Sequence, residues 1–185
     1  MSSRLESQSK FLSLVLRHKP EQIGLTLDAN GWADLDELIE LARQYGAQLD
    51  RPTVLEIVAT SDKKRFALNE DQSRIRASQG HSVAIDLALA PVEPPAMLFH
   101  GTATRFVDSI REQGLRPGSR QHVHLSQDVA TATTVGARHG RAVVLTVDTA
   151  AMQRDGKVFY RSENGVWLTL AVPPQYIDFA DASEP

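Results

Sequence analysis

Lys63-Lys64-Arg65-Phe66-Ala67-Leu68-Asn69-Glu70-Asp71-Gln72-Ser73-Arg74-Ile75-Arg76-Ala77 is where the chain changes period. Phe66 and Leu68, then Ile75 and Ala77, put an apolar residue at every second position on either side of a polar Glu70–Ser73 turn, which predicts a hairpin. Before it the spacing is helical. Phe11, Leu12, Leu14, Val15 and Leu16 supply the buried side of an opening helix that must stop before Pro20. Asp34 and Glu37 have capping-box spacing ahead of Leu35, Leu38, Ile39 and Ala42, and Gly46 offers a stop. A third helix is predicted from near Pro52 through Val54, Leu55, Ile57 and Val58. Three short helices followed by a two-stranded wing predict a winged-helix arrangement for residues 1–86.

Leu87 to Ala96 carries Pro91, Pro94 and Pro95 and no periodic signal, the composition of a semi-rigid linker. A second domain is predicted over 97–185. It has a strand Met97–His100 leading to Gly101-Thr102, a helix through Phe106 and Ile110 that stops at Gly114, and a short strand His122–Leu125. A helix near 128–137 and strands at 142–147 and 166–170 complete it. The fold class expected from these elements is α+β.

Composition excludes several classes. The 185 residues contain 42% hydrophobic and 23% charged side chains, a globular balance. No apolar run approaches the ~20 residues of a membrane span, and the opening MSSRLESQSK lacks the apolar core of a signal peptide. With no cysteine, disulfides, thiolate metal sites and Cys nucleophiles are absent; the expected location is the cytoplasm. The net charge is −3, and splitting the chain at residue 90 gives 11 Lys and Arg against 13 Asp and Glu before it, and 9 against 10 after it. No whole-protein basic field exists, so a polyanion must be gripped locally by a few placed arginines.

Four stretches could carry chemistry. Arg17-His18-Lys19 ends the first helix, where cations are favourable in themselves but where a planar guanidinium and an imidazole also suit an anion. Lys64-Arg65 opens the wing and Arg74 to Ser82 closes it with further donors; such a run is either a solvated face or a phosphate contact. Strand alternation places Lys64 with Phe66 on one face and Arg65 with Ala67 on the other. His100-Gly101-Thr102 follows a strand, Gly allowing close backbone approach to a ligand and His and Thr offering bonds to ribose hydroxyls. In Arg120-Gln121-His122-Val123-His124-Leu125-Ser126 the two histidines share a strand face, and zinc held with His100 is the rival reading there. Val135 to Gly140 matches neither the P-loop nor the Rossmann spacing.

Taken together, SKFLSLVLRHKP, GWADLDELI, KKRFAL, IRASQGHS, LFHGT, GLRPGSRQHVHLS, VGARHG, VVLTVD, FYRSENGVWLT and VPPQY, in order from Ser9 to Tyr176, resemble the NAD-dependent RNA (tRNA) 2′-phosphotransferases. That resemblance implies a winged-helix RNA-binding lobe and a C-terminal lobe with an ADP-ribosyltransferase-like split antiparallel sheet. It implies transfer of an internal RNA 2′-phosphate to NAD+ as co-substrate, through a 2′-phospho-ADP-ribosylated RNA, giving 2′-OH RNA, nicotinamide and ADP-ribose 1″,2″-cyclic phosphate. Arg17, His18, Arg65 and Arg120 match the family's catalytic tetrad. His100, Gly101, Thr102, His124 and Ser126 match its NAD site, with Gly136, Arg138 and Val166 contributing. Val166 stands where protein-modifying relatives of the fold carry a catalytic Glu, and a phosphate nucleophile needs no general base to ionise it. Lys64, Arg76, Gln79 and His81 are expected on the RNA side. The partners expected are RNA bearing a 2′-phosphate, such as tRNA, and NAD+, with no metal, no membrane, and a monomeric protein. Two other readings stand beside it: an ADP-ribosyltransferase that caps terminal RNA or DNA phosphates, and a non-catalytic winged-helix sensor of NAD or ADP-ribose.

Overall fold

A computed structural model describes residues 3–180. The chain divides into two compact units, 1–88 and 89–185. Each unit combines short helices with three-stranded antiparallel sheets, so the class is α+β.

In the first unit, helix α1 (Ser3–Arg17) buries Leu12, Val15 and Leu16, while Phe11 and Leu14 are only half-buried. Pro20 opens a short 3-10 turn, Pro20–Ile23. Strand β1 (Ala33–Asp34) leads into α2 (Leu35–Gln44), and Asp34 caps that helix by accepting from the Glu37 amide at 2.8 Å. Helix α3 (Arg51–Thr60) starts one residue before Pro52, with Asp50 accepting from the Thr53 amide at 2.9 Å. Strands β2 (Phe66–Leu68) and β3 (Arg74–Ala77) form the expected hairpin, Phe66 opposite Ala77 and Leu68 opposite Ile75. β1 adds a third strand on the far side of β3, giving the order β1-β3-β2. Two residues are too short to show a period, which is why β1 was invisible in the sequence. The hairpin's inner face joins the helices in one apolar core: Phe66, Ile75 and Ala77 pack with Leu12, Leu16, Leu38 and Ile57.

Strand alternation does not extend back to Lys64. β2 begins at Phe66, and Lys64 has φ +39, a left-handed backbone that breaks the pleat. Lys64 and Phe66 therefore share no strand face.

The Pro-rich stretch has no regular element, and from Pro91 onward it lies along the second unit. Pro91 bridges Tyr160, the Val92 amide donates to the Phe159 carbonyl at 2.9 Å, and the Pro95 carbonyl accepts from the Thr149 hydroxyl.

In the second unit β4 (Met97–Ala103) runs past the expected end at His100 and pairs along its length with β6 (Ala142–Asp148). β9 (Ile177–Asp178) completes the sheet β4-β6-β9. A second sheet, β5-β8-β7, is made of Val123–Leu125, Trp167–Thr169 and Tyr160–Arg161. The two sheets meet at Phe99 and Ser126, whose backbones exchange hydrogen bonds of 2.9 and 2.7 Å. Helices α4 (Val107–Gln113), α5 (Val129–Gly136) and α6 (Thr149–Arg154) connect them. Leu98, Leu125, Leu145, Val147, Met152 and Phe159 form the core.

Candidate active site

Three of the residues singled out in the first unit are held together. Beyond Arg17 the chain winds out of α1, the His18 and Lys19 amides both donating to the Leu14 carbonyl. The Arg17 carbonyl, left over at the helix end, accepts from the Ser82 amide at 2.9 Å and the Val83 amide at 3.4 Å. The His18 ring meets the Ser82 hydroxyl, Nδ1 to Oγ, at 2.9 Å. Arg65 is half-buried just before β2, and its carbonyl accepts from the Arg17 guanidinium at 3.4 Å and from the Ser78 amide at 2.9 Å. The Ser78 hydroxyl donates to the Lys64 carbonyl at 2.8 Å. Segment 78–83 thus braces both the Arg17-His18 corner and the Lys64-Arg65 approach to β2.

The RNA-side candidates are placed differently from one another. Lys64 is exposed. Arg76 lies over the Trp32 ring at 4.6 Å, a cation–π contact within the unit. Gln79 is half-buried, and its Oε1 has no hydrogen-bond partner among the described residues. His81, expected to face RNA, is inside the unit: it is 2% exposed, and its Nε2 has no hydrogen-bond partner among the described residues. Burial, aided by the positive field of Arg17, His18 and Arg76, pushes its pKa down to about 4. A polar run in the sequence does not reveal that one member points inward.

In the second unit, β4 carries His100 to a position where Nδ1 meets the His124 carbonyl at 3.0 Å. A carbonyl only accepts, so Nδ1 holds the proton. Burial lowers the His100 pKa, the carbonyl bond opposing and the nearby His139 adding to the shift, so the neutral ring presents Nε2 as an acceptor. His124 has the opposite tautomer. Its Nδ1 lies 3.0 Å from Nη1 of Arg120, and a guanidinium only donates, so neutral His124 keeps its proton on Nε2. Burial and the neighbouring Arg138 both lower the Arg120 pKa. Among the described residues neither arginine forms an ion pair with a carboxylate. The positive field of Arg138 at Arg120 favours an anion there.

Gly101 and Gly136 serve packing. A Cβ on Gly101 would lie 1.7 Å from the Ala132 carbonyl oxygen, and one on Gly136 would lie 2.5 Å from that of Thr102. They let α5 settle directly onto β4, which fixes Thr102, itself buried, and the His100 backbone. The space beside Gly101 is filled by this helix, so its missing side chain does not admit a ligand there. Val166 is half-buried and closes the Ser162–Val166 turn, where the Ser162 amide donates to its carbonyl at 2.9 Å. Glu163 at the tip of that turn is exposed. His122 sits edge-on to Tyr160 at 5.7 Å. Among the described residues no three His, Asp or Glu side chains gather into a metal-sized group, and no helix is long and apolar enough to cross a membrane.

Residues 3–171 match the family model described as RNA 2′-phosphotransferase, Tpt1 / KptA family. A protein of Hahella chejuensis named as a probable RNA 2′-phosphotransferase is 58% identical over 183 residues, covering 99% of this chain and 98% of its own. Proteins with the same name from Agrobacterium fabrum and Acaryochloris marina are 59% and 54% identical, each over 95% of this chain, covering 95% and 97% of their own. On a family match spanning most of its length and relatives aligned over nearly their whole chains, the protein belongs to the RNA 2′-phosphotransferase family, Tpt1 / KptA.

Proposed function

We propose that the protein removes an internal 2′-phosphate from RNA by passing it to NAD+. The observation that carries this reading is the cationic corner of the first unit, Arg17, His18 and Arg65, braced by one segment in a chain of this family. In the first step a 2′-phosphate oxygen attacks C1″ of the nicotinamide ribose, and the glycosidic C–N bond breaks with its electron pair leaving on nicotinamide. In the second, the ribose 2″-hydroxyl attacks phosphorus through O2″ and gives up its proton, and the bond to the RNA O2′ breaks. That oxygen takes up a proton, and the phosphate departs as ADP-ribose 1″,2″-cyclic phosphate. The nucleophile is already an anion, and more negative charge builds on the phosphorus centre in the second step. Fixed guanidinium and imidazole donors therefore supply what the reaction needs: orientation and charge stabilisation. Arg120, with Arg138 beside it in the charge field, is the fourth member by family match. His100 offers an acceptor for a ribose hydroxyl of NAD+; the His124 carbonyl holds its Nδ1, and the Ser126 backbone pairs with neighbouring Phe99.

On this reading the first unit is a winged-helix RNA-binding lobe and the second an ADP-ribosyltransferase-like lobe; the protein acts in the cytoplasm, as a monomer and without metal. The test is an RNA carrying one labelled internal 2′-phosphate, incubated with NAD+ in EDTA. Transfer of the label to a cyclic phosphate of ADP-ribose supports the proposal. RNA that stops as an ADP-ribosylated adduct, with terminal phosphates equally modified, would replace it with the capping activity. Binding of NAD+ with no product would leave a sensor.

A further inference from the structure

We infer that His124 is the positioning residue of Arg120: the lone pair on its Nδ1 anchors the guanidinium without cancelling the positive charge that a phosphate needs. The inference rests on the proposed place of Arg120 among the phosphate-handling side chains. Arg120 sits in a turn ahead of β5, its amide donating to the Pro117 carbonyl at 3.2 Å. A long side chain on a turn has many rotamers to lose, so its tip must be held if it is to meet a phosphate in one geometry. Among the described residues the guanidinium makes one hydrogen bond, from Nη1 to Nδ1 of His124 at 3.0 Å. The anchor itself stands on a strand. His124 is the middle residue of β5, paired with Leu168 of β8, and its carbonyl accepts from the His100 ring at 3.0 Å. The turn thus borrows its order from the sheet.

The kind of partner decides what the arginine can do. Arg43, Arg51 and Arg74 lean on Glu40, Asp36 and Asp28 at 3.4, 2.7 and 2.8 Å, and in each pair the two charges offset one another. A carboxylate beside Arg120 would hold its tip equally well and would weaken its field at a phosphate. A neutral imidazole has a lone pair and no net charge. It accepts one N–H and leaves the charge and the remaining donors of the guanidinium to an anion. The contact also fixes the ring: a guanidinium only donates, so Nδ1 is bare and the neutral ring carries its proton on Nε2. Arg138 adds to the need for an anchor, because its like charge bears on Arg120 and drives an unheld tip away.

Single-turnover rates of 2′-phosphate transfer at saturating NAD+, with folding checked by circular dichroism, test the role. His124→Phe keeps a planar ring and removes the acceptor; it should be slower by about tenfold, the value of one hydrogen bond to a charged group. His124→Asn places an amide oxygen as many bonds from the backbone as Nδ1 and should recover most of that loss. His124→Asp offers the same oxygen with a charge and should stay slower than His124→Asn. In an Arg120→Ala background His124→Phe should cost nothing further, because the two residues act as one. His124→Asn no faster than His124→Phe, His124→Asp as fast as His124→Asn, or full additivity with Arg120→Ala would each overturn the positioning role. Should His124→Phe not fold, the order of His124→Asn and His124→Asp carries the same test. Ring 15N spectra of the full chain give a readout independent of activity. Neutral wild-type His124 should be the Nε2–H tautomer, and its Nδ1 signal should move in Arg120→Ala; a dominant Nδ1–H form or an unmoved signal would overturn the inference. Wild-type protein with that tautomer and that shift but no transferase activity would instead sink the functional reading, leaving the contact without its catalytic purpose.

Discussion

His81 shows how far a single residue can depart from the pattern around it. It lies in Arg74–Ser82, a stretch rich in donors that suggested a surface for RNA, yet its ring is buried and stays neutral well below the ordinary histidine range. Its folded pKa is about 4 against an ordinary value of 6.5. The unfolded chain therefore binds the proton first as pH falls, and stability drops progressively below about pH 6.5. That loss is about 2 kcal/mol between pH 7 and pH 5 from this group alone. Urea unfolding at the two pH values checks it: His81→Asn should flatten the difference by about that amount, and an unchanged difference would show that the ring is solvated. The tetrad candidates at this scale were legible as residue types. Arg17, His18 and Arg65 were visible because cations ending an apolar helix and opening a strand stand out. Ser82 was not, because a serine after a glycine-histidine pair carries no period and its partner is 64 positions away.

At the scale of elements, Gly101 and Gly136 set the approach of α5 to β4. Gly101→Ala would drive a methyl into the Ala132 carbonyl, so the helix must lift from the strand or the protein must strain; a loss of about 3 kcal/mol or more is expected, in the range of severe overpacking. Gly46 provides the contrast. Its φ is +97 and nothing lies within 4 Å of a Cβ built there, so Gly46→Ala should cost only about 1 kcal/mol, the left-handed backbone penalty. Thermal unfolding of the two variants separates a packing glycine from a conformational one; similar losses would contradict the assignment. Helix α5 should also depend on its cap. Asp128 accepts from the Thr131 amide at 2.7 Å, and Asp128→Ala should destabilise by about 1 kcal/mol. The long elements were readable from sequence because each shows two or more turns or repeats. β1, β7 and β9 have two residues each, with no room for a period, and exist only because a partner strand completes them.

For the whole molecule, a net charge of −3 spread evenly between the two parts of the chain leaves RNA affinity to a few placed cations. Three or four phosphate contacts on a single strand give a slope of log affinity against log salt of about −2 to −3. Titration of a short 2′-phosphorylated RNA from low to high salt measures it. A slope beyond about −6 would mean a broad basic surface, which the charge distribution does not provide. Family membership follows from the chain as a whole, while the proposed chemistry is assigned to four side chains, Arg17, His18, Arg65 and Arg120. The measurement that tests them most directly is the single-turnover rate of 2′-phosphate transfer to NAD+ for wild type and for Arg65→Ala and Arg120→Ala, with folding checked by circular dichroism. Each folded variant should be slower by about 10²–10³, the value of a lost transition-state donor. Rates within a few-fold of wild type would contradict the assignment of the reaction to these cations.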